Sequence, residues 1–266
     1  MLFAQRFLIF GRVDPDIEPG NISPWIDNKS RALDELHAML AAQTHRRFIK
    51  THTPLDGVPY FPQCTYLIVH RDPRDTYFSM RNHAANMQSE QLLDRLIANV
   101  REGFLELATR SYAPGEFDNF AAAANVHHYQ SYKRFEDLAN FHFSHYANLK
   151  QDLRGSIAAM AAALGLSPSH KLLDEVTAAV GFDAMKANAR KFAPNAGRGV
   201  WKDDSQFFNK GQSQQWRTVL NDEDLAIYDS RLAELLPKAD IAWLQNGESR
   251  FNGSLLSRSG RGYRNC

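Results

Sequence analysis

No stretch of this 266-residue chain is long and apolar enough to cross a bilayer. The best runs, Tyr66 to Val69 and Ile157 to Leu166, fall far short of the about 20 residues a spanning helix needs. Cysteine is scarce as well. Cys64 and Cys266 are the only two, too few for a disulfide framework and not at metal-ligand spacing, so a reducing, cytoplasmic setting is expected and no metal. Neither sign of charge dominates: 31 Lys and Arg stand against 30 Asp and Glu, a formal +1. That balance excludes a global field drawing the protein to nucleic acid or to a membrane surface. Met1 to Phe10 lacks the basic start and small-residue cleavage site of a secretory leader and reads as a core helix. The dipeptide Gly-Lys occurs nowhere. A small-molecule kinase on a nucleotide fold needs a Gly-rich loop ending in Gly-Lys-Ser/Thr, so that class is disfavoured.

What remains is ordinary globular material, 44% hydrophobic and 23% charged, enough for one domain expected over residues 1–244 with a polar tail at 245–266. Gly11 to Pro24 reads as a surface loop. Strands are expected at Arg47 to Lys50, at the apolar run Tyr66 to Val69 with His70, and at Phe141 to His145; the second should be covered on both faces. Helical spacing or caps predict helices over Ser30 to Gln43, from Pro73 onward, Ser89 to Arg110, Phe117 to Phe135, Leu153 to Leu164, Ser169 to Val180, and from Gln212 to Leu236. Strands alternating with helices imply an α/β fold with a parallel sheet, whose ligands bind at the carboxyl ends of the strands.

Several residues with useful chemistry fall at those ends. In RRFIKTHTPLDGVPY, Lys50 and His52 follow a strand at alternating spacing, so an extended chain points them the same way. A cation beside an imidazole suits a site that binds an anion and removes a hydroxyl proton. Taken alone, a surface lysine and one of ten histidines satisfied locally is the plainer account. In YLIVHRDPRDTYFSMRNH, Arg71 ends a strand and Ser79 lies two helical turns on, at same-face spacing. Arginine can fork onto a phosphate with a serine hydroxyl adding a bond; the plainer account pairs Arg71 with Asp72 or Asp75. Between Asp183 and Asp203 the only charges are Lys186, Arg190, Lys191, Arg198 and Lys202, which favours an anion-facing segment. His127, His128, His142 and His145 lack carboxylates at ligand spacing and read as structural. Trp25 and Trp201 flank loops, as anchors before acceptor contacts.

Together these segments resemble the cytosolic-type sulfotransferase family, which carries a K-T-H strand end and then R-D/N-P-R/K-D with a serine eight residues after the arginine. The similarity continues in order. HYANLKQDLRGSIAAMAAALG resembles the family's Y-E-D-L/M-K strand and helix, GFDAMKAN resembles S-F-E/D-x-M-K-x-N, and FFNKGQSQQW resembles the F-M/V-R-K-G-x-x-G-D-W lid. The resemblance implies a P-loop-NTPase-like parallel sheet flanked by helices. It implies sulfuryl transfer from 3′-phosphoadenosine-5′-phosphosulfate (PAPS) to a small acceptor: a phenol, alcohol, steroid, amine or lipid headgroup. His52 would be the general base and Lys50 would steady the sulfuryl group. Arg71 and Ser79 would hold the 3′-phosphate, with Lys210 and the Gly211 backbone closing from the lid and Tyr146 and Phe182 at the adenine. Gly11 to Trp25, Tyr60, Phe61, His83 and the lid would line the acceptor pocket.

The sequence also departs from the family. The P-K-S-G-T-T-W strand and loop that cradle the 5′-phosphosulfate are absent, and Met1 falls within the helix expected to follow them. The expectation is an amino-terminally truncated fold missing its first strand, with the Tyr66 to Val69 strand exposed along one edge and weak PAPS turnover; a non-catalytic nucleotide-binding protein is the alternative. Asn209 stands for the lid arginine, Val180 and Gly181 for polar residues, and YANLK for Y-E-D-L-K. The dimerisation pattern of animal members is lacking after Trp216, which leaves the oligomeric state open.

Overall fold

Two five-residue strands with bulky side chains meet at the centre of the protein. The computed structural model describes residues 1–14, 22–27, 31–89, 99–113, 115 and 120–247. Within it β1 (Tyr66–His70) and β2 (Phe141–His145) match the expected strands. They pair in parallel, Tyr66 opposite Phe141, Ile68 opposite Phe143 and His70 opposite His145. The Tyr66 and Phe141 rings stack at 4.6 Å, a cross-strand contact that pins the register. β2 occupies one edge of β1, and among the described residues no strand pairs with the other. Covering on both faces is not what the fold provides: Ile68 and His70 are buried, but Val69 between them is 39% exposed. The third expected strand is a correction. Arg47 to Lys50 makes one parallel bridge, Lys50 with Trp25, because Pro24 has no N–H to continue a ladder. Lys50 donates to the Pro24 carbonyl (3.0 Å) and accepts from Ile26 (3.1 Å).

Helices surround the pair. α1 (Leu2–Phe10) ends on Gly11, whose φ of 65° supplies the left-handed cap. α2 (Leu33–Ala41) is shorter than expected, its proposed start at Ser30 lying outside the described residues. α3 (Pro73–Asn86) begins with proline at its first position, as expected. α4 (Val100–Thr109) and α5 (Ala122–Lys133) fall inside the two helices expected there, of which residues 90–98 and 117–119 lie outside the described set. α6 (Tyr146–Gln151) continues directly from β2, and α7 (Leu153–Ala163) follows, with Asp152 as its cap. α8 (His170–Val180) is capped by Ser169, and α9 (Phe182–Ala187) and α10 (Ala189–Phe192) are short. The helix expected from Gln212 splits into a 3-10 turn, Gln215–Thr218, and α11 (Asp222–Leu235), which opens with an Asn221–Asp224 capping box. α12 (Lys238–Asn246) was not foreseen and runs past residue 244 to a left-handed Gly247; Cys266 and the rest of the expected tail from residue 248 lie outside the described residues. Of the expected Gly11 to Pro24 surface loop, residues 15–21 lie outside them too, and Ile22 and Ser23 are buried.

Two apolar clusters hold these layers. Phe7, Ile157 and Val176 join α1, α7 and α8. Tyr77, Phe104, Tyr129, Tyr228 and Trp243 join α3, α4, α5, α11 and α12. Where the second cluster meets the strand ends it is studded with histidine. Trp243 lies 5.6 Å from His70 and 5.5 Å from His145, and His70 lies 5.3 Å from His128, ring centre to ring centre. His145 donates from Nε2 to the Leu244 carbonyl (3.0 Å) and accepts the Ala147 N–H at Nδ1 (3.2 Å), the bonding of a neutral ring.

Burial lowers the pKa of all three from 6.5, that of His128 to about 4. Above pH 6.5 they are neutral whether folded or not; below it the unfolded chain takes up protons that the folded one refuses. Stability should therefore fall as pH drops from about 6.5 toward about 4. In guanidinium unfolding titrations the wild type should lose about 2 kcal/mol more than His128→Gln between about pH 7.5 and about pH 4.5. Parallel acid limbs for the two proteins would contradict the assignment to His128.

Candidate active site

The strand register builds the first half of the site. Since His70 faces His145, the next residues, Arg71 and Tyr146, leave adjoining strand ends side by side. The Arg71 guanidinium lies over the Tyr146 ring at 4.5 Å. The acids around Arg71 are already engaged. Asp72 caps α3 by accepting the Arg74 N–H (2.9 Å), and the Arg74 guanidinium grips the same carboxylate at 2.9 Å. That pair is buried, with Arg74 stacked 4.0 Å over Trp216. Asp75 accepts the backbone N–H of Gln214 (2.6 Å). Burial raises the Asp75 pKa, against the opposing pull of Arg71. Neither acid forms an ion pair with Arg71, whose buried Nε has no hydrogen-bond partner among the described residues. Ser79 is partly exposed, one turn beyond Asp75 on the same side of α3.

The second wall is the segment Phe207 to Gln214. Gly211 adopts φ 62°, and a Cβ there would sit 2.7 Å from the Phe182 ring, so the backbone lies flat on that ring. Lys150 donates to the Gly211 carbonyl (2.8 Å) and Lys186 to that of Asn209 (2.7 Å). Lys210 lines an open cavity of about 610 Å³ together with Phe78, the neighbour of Ser79, and with Lys150 and Gln214. Arg71 thus meets Tyr146 and Gly211 meets Phe182, while Asp75 ties the segment to the start of α3. In the acid-free stretch, Lys186 donates to the Asn209 carbonyl and Lys202 to that of Ala85 (3.1 Å), so each of these two ammonium groups gives one of its three donors to backbone.

The residues expected to serve the acceptor gather around Trp25. The Lys50 ammonium lies 4.3 Å from its ring centre and the His52 ring 4.4 Å, so both meet the one indole ring. Sequence had given Trp25 mainly an anchoring part; it is the body against which both groups rest. Asp27, which nothing in the sequence marked, accepts three hydrogen bonds at Oδ2: from Thr51 Oγ1 (3.0 Å), the His52 N–H (2.8 Å) and Thr53 Oγ1 (2.8 Å). Burial alone would raise its pKa, but these bonds outweigh it and hold the carboxyl below 3.8. His52 is exposed; the next residue, Thr53, accepts at its carbonyl from Tyr132 of α5 (3.0 Å), and His128 on that same helix packs on His70, the residue before Arg71. The two halves therefore adjoin. His83 stacks with Phe207 at 4.7 Å and Trp201 at 5.7 Å, its pKa lowered by burial and by Arg71. Tyr60 stacks on Tyr66, while Phe61 is exposed. His127 pairs with Asp56 at 3.0 Å. Among the described residues no group of His, Cys, Asp and Glu could hold a metal.

A family profile described as "Sulfotransferase domain" matches residues 13–239. A glycolipid sulfotransferase of Mycobacterium bovis is 30% identical over 282 residues, covering 95% of this chain and 86% of its own. Its counterpart in Mycobacterium tuberculosis is 30% identical over 281 residues, with the same coverage. Among solved structures, retinol dehydratase in complex with androsterone and the inactive cofactor PAP has a TM-score of 0.69 at 19% identity, covering 88% of this chain and 76% of its own. A mouse sulfotransferase complexed with PAP gives 0.60 at 20%, covering 79% and 73%. Both show the sulfotransferase fold.

The Gly211 contact gives a direct test. Gly211→Ala combines a left-handed φ with a clash on Phe182 and should destabilise the protein by about 1–3 kcal/mol in chemical denaturation. Hydrogen exchange should rise at the Gln214 amide. An alanine variant as stable as wild type would show that the backbone does not rest on that ring.

Proposed function

The chain belongs to the sulfotransferase domain family, and from that footing we propose that it moves a sulfuryl group from PAPS to a hydroxyl of a small acceptor. The observation that carries this reading is Arg71. A half-buried guanidinium, stacked on Tyr146 at 4.5 Å, with both nearby acids bound elsewhere, is a cation made ready for an anion from outside the chain. A 3′-phosphate fits that need, with Ser79 and Lys210 as further donors and the flat faces of Tyr146 and Phe182 suited to an adenine. The structural neighbours crystallised with PAP support the choice of nucleotide.

When bound, the donor supplies an activated sulfuryl group with charge building on its bridging oxygen. The residues of this chain position the reactants and supply charge, in keeping with group transfers that proceed through loose transition states. His52 takes the acceptor hydroxyl proton on an imidazole nitrogen. Lys50, held against the Trp25 ring that His52 also touches, supplies an ammonium to steady negative charge on the sulfuryl oxygens. His83, Trp201 and Phe207 form an aromatic wall suited to an apolar acceptor body. Relatives named for glycolipids make the hydroxyl of a lipid headgroup the first acceptor to try, with phenols and steroids beside it.

Two substitutions separate the halves. Arg71→Ala should weaken adenosine 3′,5′-bisphosphate, followed by titration calorimetry, by about tenfold to a hundredfold, the value of one charge-assisted contact. His52→Gln should leave that affinity within about twofold and lower turnover of PAPS by about a hundredfold or more. ATP binding as tight as adenosine 3′,5′-bisphosphate, or full affinity in Arg71→Ala, would overturn the nucleotide assignment. Nucleotide binding with no transfer to any acceptor would leave a binding protein in place of an enzyme.

A further inference from the structure

Asp27 lies in neither the nucleotide half nor the proposed proton path, yet it accepts three hydrogen bonds from the turn that carries His52. We propose that it is the positioning residue of the acceptor half: its Oδ2 holds Thr51, His52 and Thr53 in one conformation and so aims the His52 ring. The inference rests on the assignment of His52 as the base.

Three observations support it. The parallel bridge ends at Lys50, so nothing in the sheet fixes the backbone that follows. Asp27 takes over at that point, bonding one backbone N–H and two hydroxyls within three consecutive residues at 2.8–3.0 Å. Thr51 Oγ1 in turn accepts the Thr53 N–H (2.9 Å), which closes the turn on itself. Each threonine has only one hydroxyl hydrogen, and both go to the carboxylate, so these side chains serve the loop.

The far side of the turn is held separately. Tyr132 donates its hydroxyl to the Thr53 carbonyl (3.0 Å), and the Leu55 N–H donates to Ser131 Oγ (2.9 Å). α5 thus fixes the exit from the turn and Asp27 fixes the entrance, with His52 between them. Asp27 also lies two residues beyond Trp25 on the strip that bridges Lys50. One carboxylate therefore sets the backbone of His52 and the place of the ring on which His52 and Lys50 rest. The charge matters as well as the shape. An ionised carboxylate oxygen takes three donors readily, whereas a neutral amide oxygen takes fewer and weaker bonds. Asp27 Oδ1 is buried without a hydrogen-bond partner among the described residues, so an asparagine would place an unsatisfied NH₂ there.

The test compares wild type, Asp27→Asn, Asp27→Glu and the pair Thr51→Val and Thr53→Val, with His52→Gln as reference. Turnover of PAPS is followed with phenol, steroid and glycolipid acceptors, adenosine 3′,5′-bisphosphate affinity by calorimetry, and exchange of the His52 amide by mass spectrometry. Asp27→Asn should lower kcat about tenfold to a hundredfold, the cost of a misplaced catalytic group. Nucleotide affinity should stay within about twofold, and the His52 amide should exchange faster. Asp27→Glu should recover part of the rate. If Asp27→Asn does not fold, the threonine variants carry the test, each lowering kcat without moving nucleotide affinity. Wild-type kcat in Asp27→Asn, or in both threonine variants, overturns the inference, as does a rate loss matched by an equal loss of nucleotide affinity. Full turnover in His52→Gln would instead sink the underlying reading of His52.

Discussion

The parallel register of two short strands is the constraint on which the site depends. Pairing His70 with His145 brings Arg71 and Tyr146 out at the same height, and a guanidinium then finds an aromatic face within 4.5 Å. A slip of one residue would turn each side chain of one strand to the opposite face, separating the two and exposing His70 or His145. What prevents the slip is packing on both ends of the ladder. Tyr66 stacks on Phe141 at the entrance, and at the exit both histidines abut Trp243. The histidine bonded to Leu244 ties α12 to β2, so a helix at the far end of the chain helps to hold the geometry around Arg71.

The run Arg71 to Asp75 shows how a fold sorts charges that lie close together in sequence. Two arginines and two aspartates fall within five residues, and random pairing would leave a neutral knot. The fold sorts them by direction. Arg74 points back into the core against Trp216 and takes Asp72, which also caps the helix. Asp75 points to the lid segment and takes the Gln214 N–H. Arg71, at the strand end before the helix begins, is left to the solvent side and to Tyr146. Because Asp75 is one turn from the cap and holds the lid, the loop that carries Lys210 is anchored to the same helix start that presents Arg71. Movement of that loop therefore cannot be independent of the arginine.

Much of this was legible in the sequence, for identifiable reasons. β1 and β2 announce themselves as short runs of large apolar and aromatic residues, and Pro73 marks the start of α3. The family's motifs placed Arg71, Tyr146, Phe182 and Gly211, and the structure brings them together in two contacts. The misses share a cause too. Arg47 to Lys50 has strand-like composition, but whether a ladder forms depends on its partner, and Pro24 cannot supply one. α12 was missed because its start, Pro237, and its polar residues read as a tail; its apolar side is made by Trp243 and Leu244 against the histidines. Lys186 and Lys202 have the charge of anion ligands, and each gives one donor to a carbonyl. Composition tells the sign of a side chain but not what lies within its reach. Asp27 is the extreme case, since its meaning lies wholly in residues more than twenty positions away.

The two halves of the site differ in construction, and that difference bears on how such a protein can change its acceptor. Arg71, Tyr146 and Ser79 stand on strands and helices whose positions are set by the central ladder, where a small shift would disturb the whole core. Lys50, His52 and Trp25 stand on loop segments joined by one bridge and a few side-chain hydrogen bonds. Loops tolerate substitution and insertion while scaffolds do not. Structures of this fold carry androsterone or retinol beside PAP, and relatives of this chain are named for glycolipids. On the proposed assignment, a rigid nucleotide half with a loop-built acceptor half would account for that range: the acceptor wall could be rebuilt provided a small set of bonds kept the proposed base in place. In this chain those bonds converge on a single carboxylate. The residues that choose the acceptor should then vary around Asp27 and not at it, because a change there would alter the aim of the base for every acceptor alike.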